Sequence, residues 1–367
     1  MISLFKKFDP VRKIFSNGVD WQLNAAVLFL AAAGMISLIS TKPDLFWKQL
    51  LWYGIGFLLI FLIIRFDWRA FVNYRNAIWG IYFLAILLLA LTYFFAPAVR
   101  GAKSWLTIGS FQFQTAEFAK LALIIVLASF FSRRHISIAR VSNLLVSFIY
   151  LVIPAGLIVL QPDFGSALVL FFVWFGFLLI SGIRWRHLII AIIIFSILGT
   201  VMWQSVLKDY QKERVIGVFF SERDVLGINY SVIQSKIAIG SAGFFGKGFA
   251  QGTQTQLGFL PEAQTDFIFA AFIEEWGIFG GMLIIAAFVF LILKIIKIGL
   301  ETDNNFNRFI CLGTVVLFGV QFILNVGSNL GLTPVIGITF PFLSYGGSSV
   351  LINLILIGII QSIAIRR

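Results

Sequence analysis

Long apolar runs alternate with short basic or polar segments about ten times along the chain. Runs of this kind are long enough to cross the hydrocarbon core of a bilayer as helices. They lie near residues 22–39, 50–64, 77–96, 115–131, 144–160, 164–180, 188–206, 267–293, 309–326 and 350–365. The pattern predicts an all-α integral membrane protein with about ten transmembrane helices, organised as a single polytopic domain over residues 1–367.

The longest break between runs spans residues 207–265 and separates the seventh run from the eighth. A connection of this length without its own structure is uncommon and usually carries function. Within it, residues 230–240 alternate enough to predict a short amphipathic helix on the bilayer surface. Five glycines follow between residues 243 and 258, which permit tight turns close to a ligand or, alternatively, a flexible solvated loop.

Composition supports the membrane prediction, since 60% of the 367 residues are hydrophobic and 12% are charged. Most lysines and arginines fall in cytoplasmic segments if both termini are cytoplasmic, so the positive-inside rule predicts that orientation. The net charge of +12 then reflects topology and attraction to anionic membrane lipids, and requires no nucleic-acid partner. The single cysteine, Cys311, excludes an intramolecular disulfide.

One carboxylate, Asp266, lies at the mouth of the eighth run, directly before Phe267. A charged group at the edge of hydrocarbon is costly unless it is paired or functional. Partial desolvation would make it a stronger proton acceptor and therefore a candidate general base. The alternative is that Asp266, or equally Thr265, caps the eighth helix.

Four other charged groups are candidates for a site. Glu117 and Lys120 are three residues apart in the fourth run, so they share a helix face; they either form a structural ion pair or contact substrate. Arg100 and Lys103 are cations in a short outer loop, where they either bind a phosphate-bearing ligand or anchor the loop at the interface. Asp163 precedes the sixth run and is favoured as a helix cap.

Six segments together resemble the SEDS family (shape, elongation, division and sporulation), and its elongation branch more than its division branch. The resemblance covers essentially the whole chain. Two positions depart from the family pattern: Gln264 replaces a usual histidine, and Thr115-Ala116 replace the usual Pro-Ser before Glu117. The segments are RGAKSW at 100–105, EFAK at 117–120, QPDFG at 161–165, QSKIAIG at 234–240, FLPE with TDFIF at 259–269, and PFLSYGG at 341–347.

The resemblance implies a peptidoglycan glycosyltransferase that joins lipid II units at the outer membrane face, with a class B penicillin-binding protein as partner. It implies that Asp266 is the general base or, alternatively, a ligand to a divalent cation, Mg²⁺ or Mn²⁺. The other residues that it implicates in substrate binding are Arg100, Lys103, Glu117, Lys120, Lys236, Glu262 and Ser344.

Two other functions are compatible with ten spans and embedded charges. One is a flippase for lipid-linked precursors, and the other is a non-enzymatic scaffold for a cell-wall synthase. The predicted position of Asp266, Arg100, Lys103 and Lys236 on the outer side favours an enzyme, because a transport pathway would need charges through the midplane.

Overall fold

The computed structural model describes residues 18–65, 75–97, 102–109, 111–133, 141–182, 185–205, 209–220, 227 and 229–366. Helices occupy all ten predicted apolar runs, so the predicted fold class is confirmed. In chain order the helices are α1 Trp21–Thr41, α2 Phe46–Arg65, α3 Arg75–Phe95, α4 Thr115–Ser132, α5 Val141–Leu160, α6 Phe164–Ile180, α7 Trp185–Ser205, α8 Asp209–Phe219, α9 Tyr230–Ser241, α10 Thr253–Gln256, α11 Ile268–Glu301, α12 Asn305–Leu330 and α13 Gly347–Ile365.

Eight helices in the described part of the chain are long and apolar enough to cross a membrane by themselves. They are α1 to α5 and α11 to α13. The span that contains α2 begins at Pro43, because the short 3₁₀ turn Pro43–Leu45 leads directly into that helix. Helix α6 is apolar but has 17 residues. The chain is therefore a multi-pass helical membrane protein.

The segments between the membrane helices contain structure that the sequence predicts only in part. Helix α9 confirms that a helix lies at the predicted position, and its placement on the bilayer surface stays a prediction; α8 and α10 were not predicted. An antiparallel hairpin of β1 Trp105–Ile108 and β2 Phe111–Gln114 was also missed; it turns at Gly109, whose φ is +62°. Asp163 caps α6 as predicted, since its carboxylate accepts from the backbone N of Ser166 at 3.0 Å.

The two ends of the membrane body meet at one face. The backbone N of Asp20 donates to Gln361 Oε1 at 3.0 Å, and Gln361 Nε2 donates to the Asp20 carbonyl at 2.8 Å. Lys294 Nζ pairs with Asp20 Oδ2 at 2.9 Å. The start of α1 and the end of α13 therefore share a face, as an even number of spans requires; that this face is cytoplasmic stays a prediction.

Helix α11 is interrupted at Gly277, where φ is 75° and ψ is 179°. The segment 243–248 pairs with the backbone groups at this break. The amides of residues 278 and 279 donate to the carbonyls of 243 and 244 (3.1 Å each), and the amides of 247 and 248 donate to the carbonyls of 274 and 275 (3.0 Å each). A break in a spanning helix needs such partners, because lipid supplies none.

The carboxylate of Glu274 in α11 forms hydrogen bonds to the segment 247–255. It is fully buried and accepts from Lys247 Nζ at 2.9 Å and from the backbone N of Gln254 and Thr255 at 2.8 and 3.1 Å, which satisfies the start of α10. Much of the long loop is thus hydrogen-bonded to a span rather than free in solvent.

The backbone of Gly34 in α1 lies directly against the carbonyl of Leu343, so a Cβ atom there would collide with that carbonyl. We expect Gly34→Ala to destabilise the protein by about 1–3 kcal/mol, because a backbone neighbour cannot rotate away. Thermal unfolding in detergent measures the effect. Gly54→Ala in α2 is the matched control, since a Cβ atom at Gly54 meets nothing within 4 Å. Equal melting temperatures for the two variants would contradict close packing of α1 against Leu343.

Candidate active site

Asp266 lies half-buried in the turn 261–267 that leads into α11. The cap position of α11 is Phe267, which makes no side-chain hydrogen bond to the helix. The alternative prediction that Asp266 or Thr265 is the helix cap is therefore wrong.

Glu262 shapes the turn that carries Asp266. Its φ is +50°, a left-handed conformation, and its carbonyl accepts from the backbone N of Thr265 at 3.0 Å and of Phe267 at 3.2 Å. Its Oε2 accepts from Thr265 Oγ1 at 3.2 Å and from Gln264 Nε2 at 3.4 Å. Through these bonds Glu262 braces the turn; its predicted contact with substrate stays a prediction.

Two buried asparagines of α12, Asn325 and Asn329, hold the backbone of Asp266. Their Nδ2 atoms donate to the Asp266 carbonyl at 3.1 and 2.8 Å, and Asn329 Oδ1 accepts from the backbone N of Ala270 at 3.0 Å. Buried amides need such partners, because an unpaired one costs free energy. Sequence reasoning missed this pair, although two asparagines four residues apart in an apolar helix were a visible signal.

The loop 331–346 closes over the other side of the turn. Ser344 Oγ donates to the Thr265 carbonyl at 2.7 Å and accepts from the backbone N of Phe340 at 2.9 Å, and the backbone N of Tyr345 donates to the Gln264 carbonyl at 2.9 Å. Ser344 is 2% exposed. It therefore positions the residue before Asp266, and its predicted contact with substrate stays a prediction.

Gly337 of this loop lies near the Asp266 side chain. Its φ is +72°, and a Cβ atom on it would lie 3.9 Å from Asp266 Oδ2. Burial raises the pKa of Tyr345 in the same loop above its ordinary value, so this phenol stays neutral at physiological pH. On the side of Gly337, therefore, the acid faces a residue without a side chain.

Lys236 lies in α9 and lines a pocket with Arg214 of α8 and with Val335. Val335 also packs against the buried cluster that contains Ala263 and Phe267, so the pocket lies next to the turn that carries Asp266. Helix α9 is held there because Ser235 Oγ donates to the Asn329 carbonyl at 2.8 Å. Sequence reasoning predicted Lys236 but missed Arg214.

Glu117 and Lys120 form the predicted ion pair, with Lys120 Nζ 2.7 Å from Glu117 Oε1. Both are almost fully buried, at 4% and 1% exposure. The second carboxylate oxygen, Oε2, has no hydrogen-bond partner in the described structure. The pair therefore retains acceptor capacity inside the apolar body, and whether it contacts substrate stays a prediction.

Buried polar groups on two neighbouring helices accompany this pair. Both amide atoms of Gln321 in α12 and Oδ1 of Asn353 in α13 lack partners among the described residues. Helices α4 and α12 run in opposite directions, and Gly313 of α12 lies against Ile124 of α4. Gln321 follows Gly313 by about two helical turns, and Glu117 precedes Ile124 by about two turns. Gln321 and Glu117 therefore lie at a similar depth in the membrane body. This polar layer is consistent with the predicted floor of a cavity, because orphaned buried polar atoms call for water or a ligand.

Of the two cations that were predicted in an outer loop, Lys103 lies within the described residues and Arg100 does not. Lys103 is exposed, and its side chain makes no hydrogen bond or ion pair to the described part of the chain. Its backbone N donates to the Gln161 carbonyl at 3.3 Å.

A metal ion near Asp266 would need ligands from the substrate as well as from the protein. Among the described residues no group of three or more His, Cys, Asp or Glu side chains could hold one. Mg²⁺, however, commonly binds one or two carboxylates together with substrate phosphates and water. Asp266 offers one such carboxylate, so Mg²⁺ or Mn²⁺ there would depend on substrate phosphates and water for its other ligands; whether a metal ion binds stays a prediction.

Comparison with known proteins identifies the family. The FtsW/RodA/SpoVE family, described as a cell cycle protein, matches residues 20–367, and the chain belongs to it. Among its relatives is the peptidoglycan glycosyltransferase MrdB of Helicobacter pylori strain J99, 36% identical over 350 residues that cover 93% of this chain and 88% of the relative.

Solved structures agree with this identification. One chain of a peptidoglycan synthase complex, described as coordinating polymerization and crosslinking, matches with a TM-score of 0.81 and 33% identity over 94% of this chain and 97% of that chain. The rod shape determining protein RodA of Thermus thermophilus matches with a TM-score of 0.72 and 28% identity over 95% and 97%.

Removing the buried amide of Asn329 tests whether it holds the backbone of Asp266. We expect Asn329→Ala to lower stability by about 1–3 kcal/mol, because the groups it satisfies at Asp266 and Ala270 stay buried. Amide hydrogen exchange over residues 265–271 should accelerate. The control is Asn76→Ala, an exposed asparagine at the start of α3. Unchanged exchange over 265–271 in Asn329→Ala would show that other contacts hold the turn.

Proposed function

We propose that the chain is a peptidoglycan glycosyltransferase that polymerises lipid II at the outer face of the bacterial cytoplasmic membrane, with Asp266 as general base. The observation that carries this proposal is the position of Asp266: held by buried amides at the mouth of α11, half-buried, and beside a pocket with two cations. The names of its relatives support the same reaction.

The reaction requires one carboxylate. The acceptor hydroxyl attacks the anomeric carbon of the donor sugar, the new C–O bond forms as the bond to the diphosphate oxygen breaks, and Asp266 takes the hydroxyl proton. The diphosphate leaves as an anion, so it needs cations rather than a second acid, in contrast to the paired carboxylates of glycosidases. A positioned general base contributes about 10²–10⁴-fold to such a step.

In the alternative role, Asp266 would hold Mg²⁺ or Mn²⁺ together with substrate phosphates, and the ion would supply Lewis acidity toward the acceptor hydroxyl. The protein's own contribution is the same in both cases. The turn braced by Glu262 and Ser344 fixes the carboxylate, and the exposed cations stabilise negative charge. Glu117 and Lys120 are proposed to shape the floor of the substrate cavity.

Several features of the cellular role follow as proposals. The partner would be a class B penicillin-binding protein, in keeping with the synthase complex that a structural neighbour belongs to. Both termini would be cytoplasmic, which places the turn 261–267 outside. Rod-shape elongation is the proposed process, in keeping with the resemblance to RodA.

Purified protein with its partner, lipid II and Mg²⁺ in detergent tests the proposal. We expect Asp266→Asn to lower the rate of glycan polymerisation by about 10²-fold or more, because the carboxamide cannot accept the proton. Asp44→Asn, another outer carboxylate but an exposed one, is the control and should retain the parent rate.

The two other functions predict different outcomes in the same experiment. A scaffold would leave polymerisation unaffected by Asp266→Asn. A flippase would give no polymer with the parent protein but would move lipid II across vesicle membranes. Either result would refute the glycosyltransferase assignment to Asp266.

A further inference from the structure

A pocket on the outer side of the membrane body combines two cations from different helices. It is lined by Arg214 of α8, Lys236 of α9, Asn229 and the first part of the loop 331–346. None of the described residues that line it is acidic. A pocket of this composition has a net positive charge and favours an anion.

The backbone at Gly331 leaves space for the Lys236 ammonium group, which stays free to bind a ligand. Its side chain is exposed and makes no hydrogen bond or ion pair to the described residues. Its ammonium group lies against Gly331, whose φ is +72°; a Cβ atom there would lie 2.6 Å from Lys236 Nζ. Glycine at this position therefore serves both the left-handed turn and the space that the ammonium occupies.

Arg214 is fixed by the loop on the opposite side of the pocket. Its Nη1 donates to the Val335 carbonyl at 3.0 Å. This bond orients a planar guanidinium, a group suited to bidentate binding of phosphate oxygens. Asn229 is buried behind it and packs against Gly217 of the same helix as Arg214.

We propose that Arg214 and Lys236 form a diphosphate-binding site that holds the leaving group of the lipid-linked donor. The assignment rests on the proposed glycosyltransferase function and adds Arg214 to it. Two cations match the several negative charges of a diphosphate, and preorganised cations stabilise the charge that develops as the bond to the sugar breaks.

One loop connects the pocket with Asp266, because Val335 lines the pocket and a Cβ atom on Gly337 would lie 3.9 Å from Asp266 Oδ2. In a direct displacement the base and the leaving group lie on opposite sides of the anomeric carbon. A base and a diphosphate site on two parts of one loop suit that arrangement.

Binding of farnesyl diphosphate to the Asp266→Asn protein in detergent tests the site without turnover, so its outcome does not depend on the identity of the base. We expect Arg214→Gln and Lys236→Gln each to weaken binding about 10-fold or more, because each removes a charged hydrogen bond. Inorganic pyrophosphate should compete, and farnesol should not bind. Arg214→Lys should fall between parent and Arg214→Gln, because the charge remains but the fork is lost.

Gly331→Ala tests the position of the ammonium group without removing a charge. We expect weaker binding of farnesyl diphosphate, because the added Cβ atom displaces Lys236 Nζ. Gly182→Ala is the matched control, since Gly182 also follows a helix with φ of +75° but has open space around it; it should match the parent.

Three results would overturn the assignment. The glutamine variants could bind farnesyl diphosphate as tightly as the parent, or pyrophosphate could fail to compete. Phosphatidylglycerol in mixed micelles could also displace the probe as well as pyrophosphate does, which would identify a general site for anionic lipid headgroups.

Discussion

The hydrogen bonds from two buried asparagines to the backbone carbonyl of Asp266 are the constraint on which the proposed site depends. Asn325 and Asn329 lie inside an apolar helix, where an unpaired amide costs free energy. They are satisfied when the Asp266 carbonyl faces them, and Asn329 also accepts from Ala270. Packing of α12 against α11 therefore fixes the backbone of Asp266. The same asparagine ties in α9, because its own carbonyl accepts from Ser235.

One loop connects the acid with the two cations. The segment 331–346 begins beside Lys236, passes Gly337 next to the Asp266 carboxylate, and ends with Ser344 bonded to Thr265. The site is at the rim of the membrane body, where partial exclusion of water strengthens interactions between fixed charges and a reacting substrate. The proposed reaction moves one proton and releases one anion, so it needs a carboxylate to accept the proton and cations to stabilise the anion.

Hydrophobic runs predicted the ten long helices, the alternation of residues 230–240 predicted a helix at the position of α9, and local residue spacing predicted the cap Asp163 and the pairing of Glu117 with Lys120. Each of these depends on residues close in sequence. These patterns did not predict the hairpin 105–114, the break at Gly277, or the bonds that Asn329, Ser344 and Arg214 make to Asp266, Thr265 and Val335. Those bonds join segments more than fifty residues apart, so they depend on how helices are registered against each other. The cap prediction for Asp266 was wrong because Phe267 takes that position without a side-chain bond.

The most direct test of the central claim is a structure of the Asp266→Asn protein bound to lipid II at its donor and acceptor positions. We predict that the acceptor hydroxyl lies about 2.6–3.2 Å from the side chain at residue 266. We also predict the donor diphosphate between Arg214 and Lys236. Reacting groups placed instead at the buried pair Glu117 and Lys120, with residue 266 remote from both sugars, would contradict this mechanism.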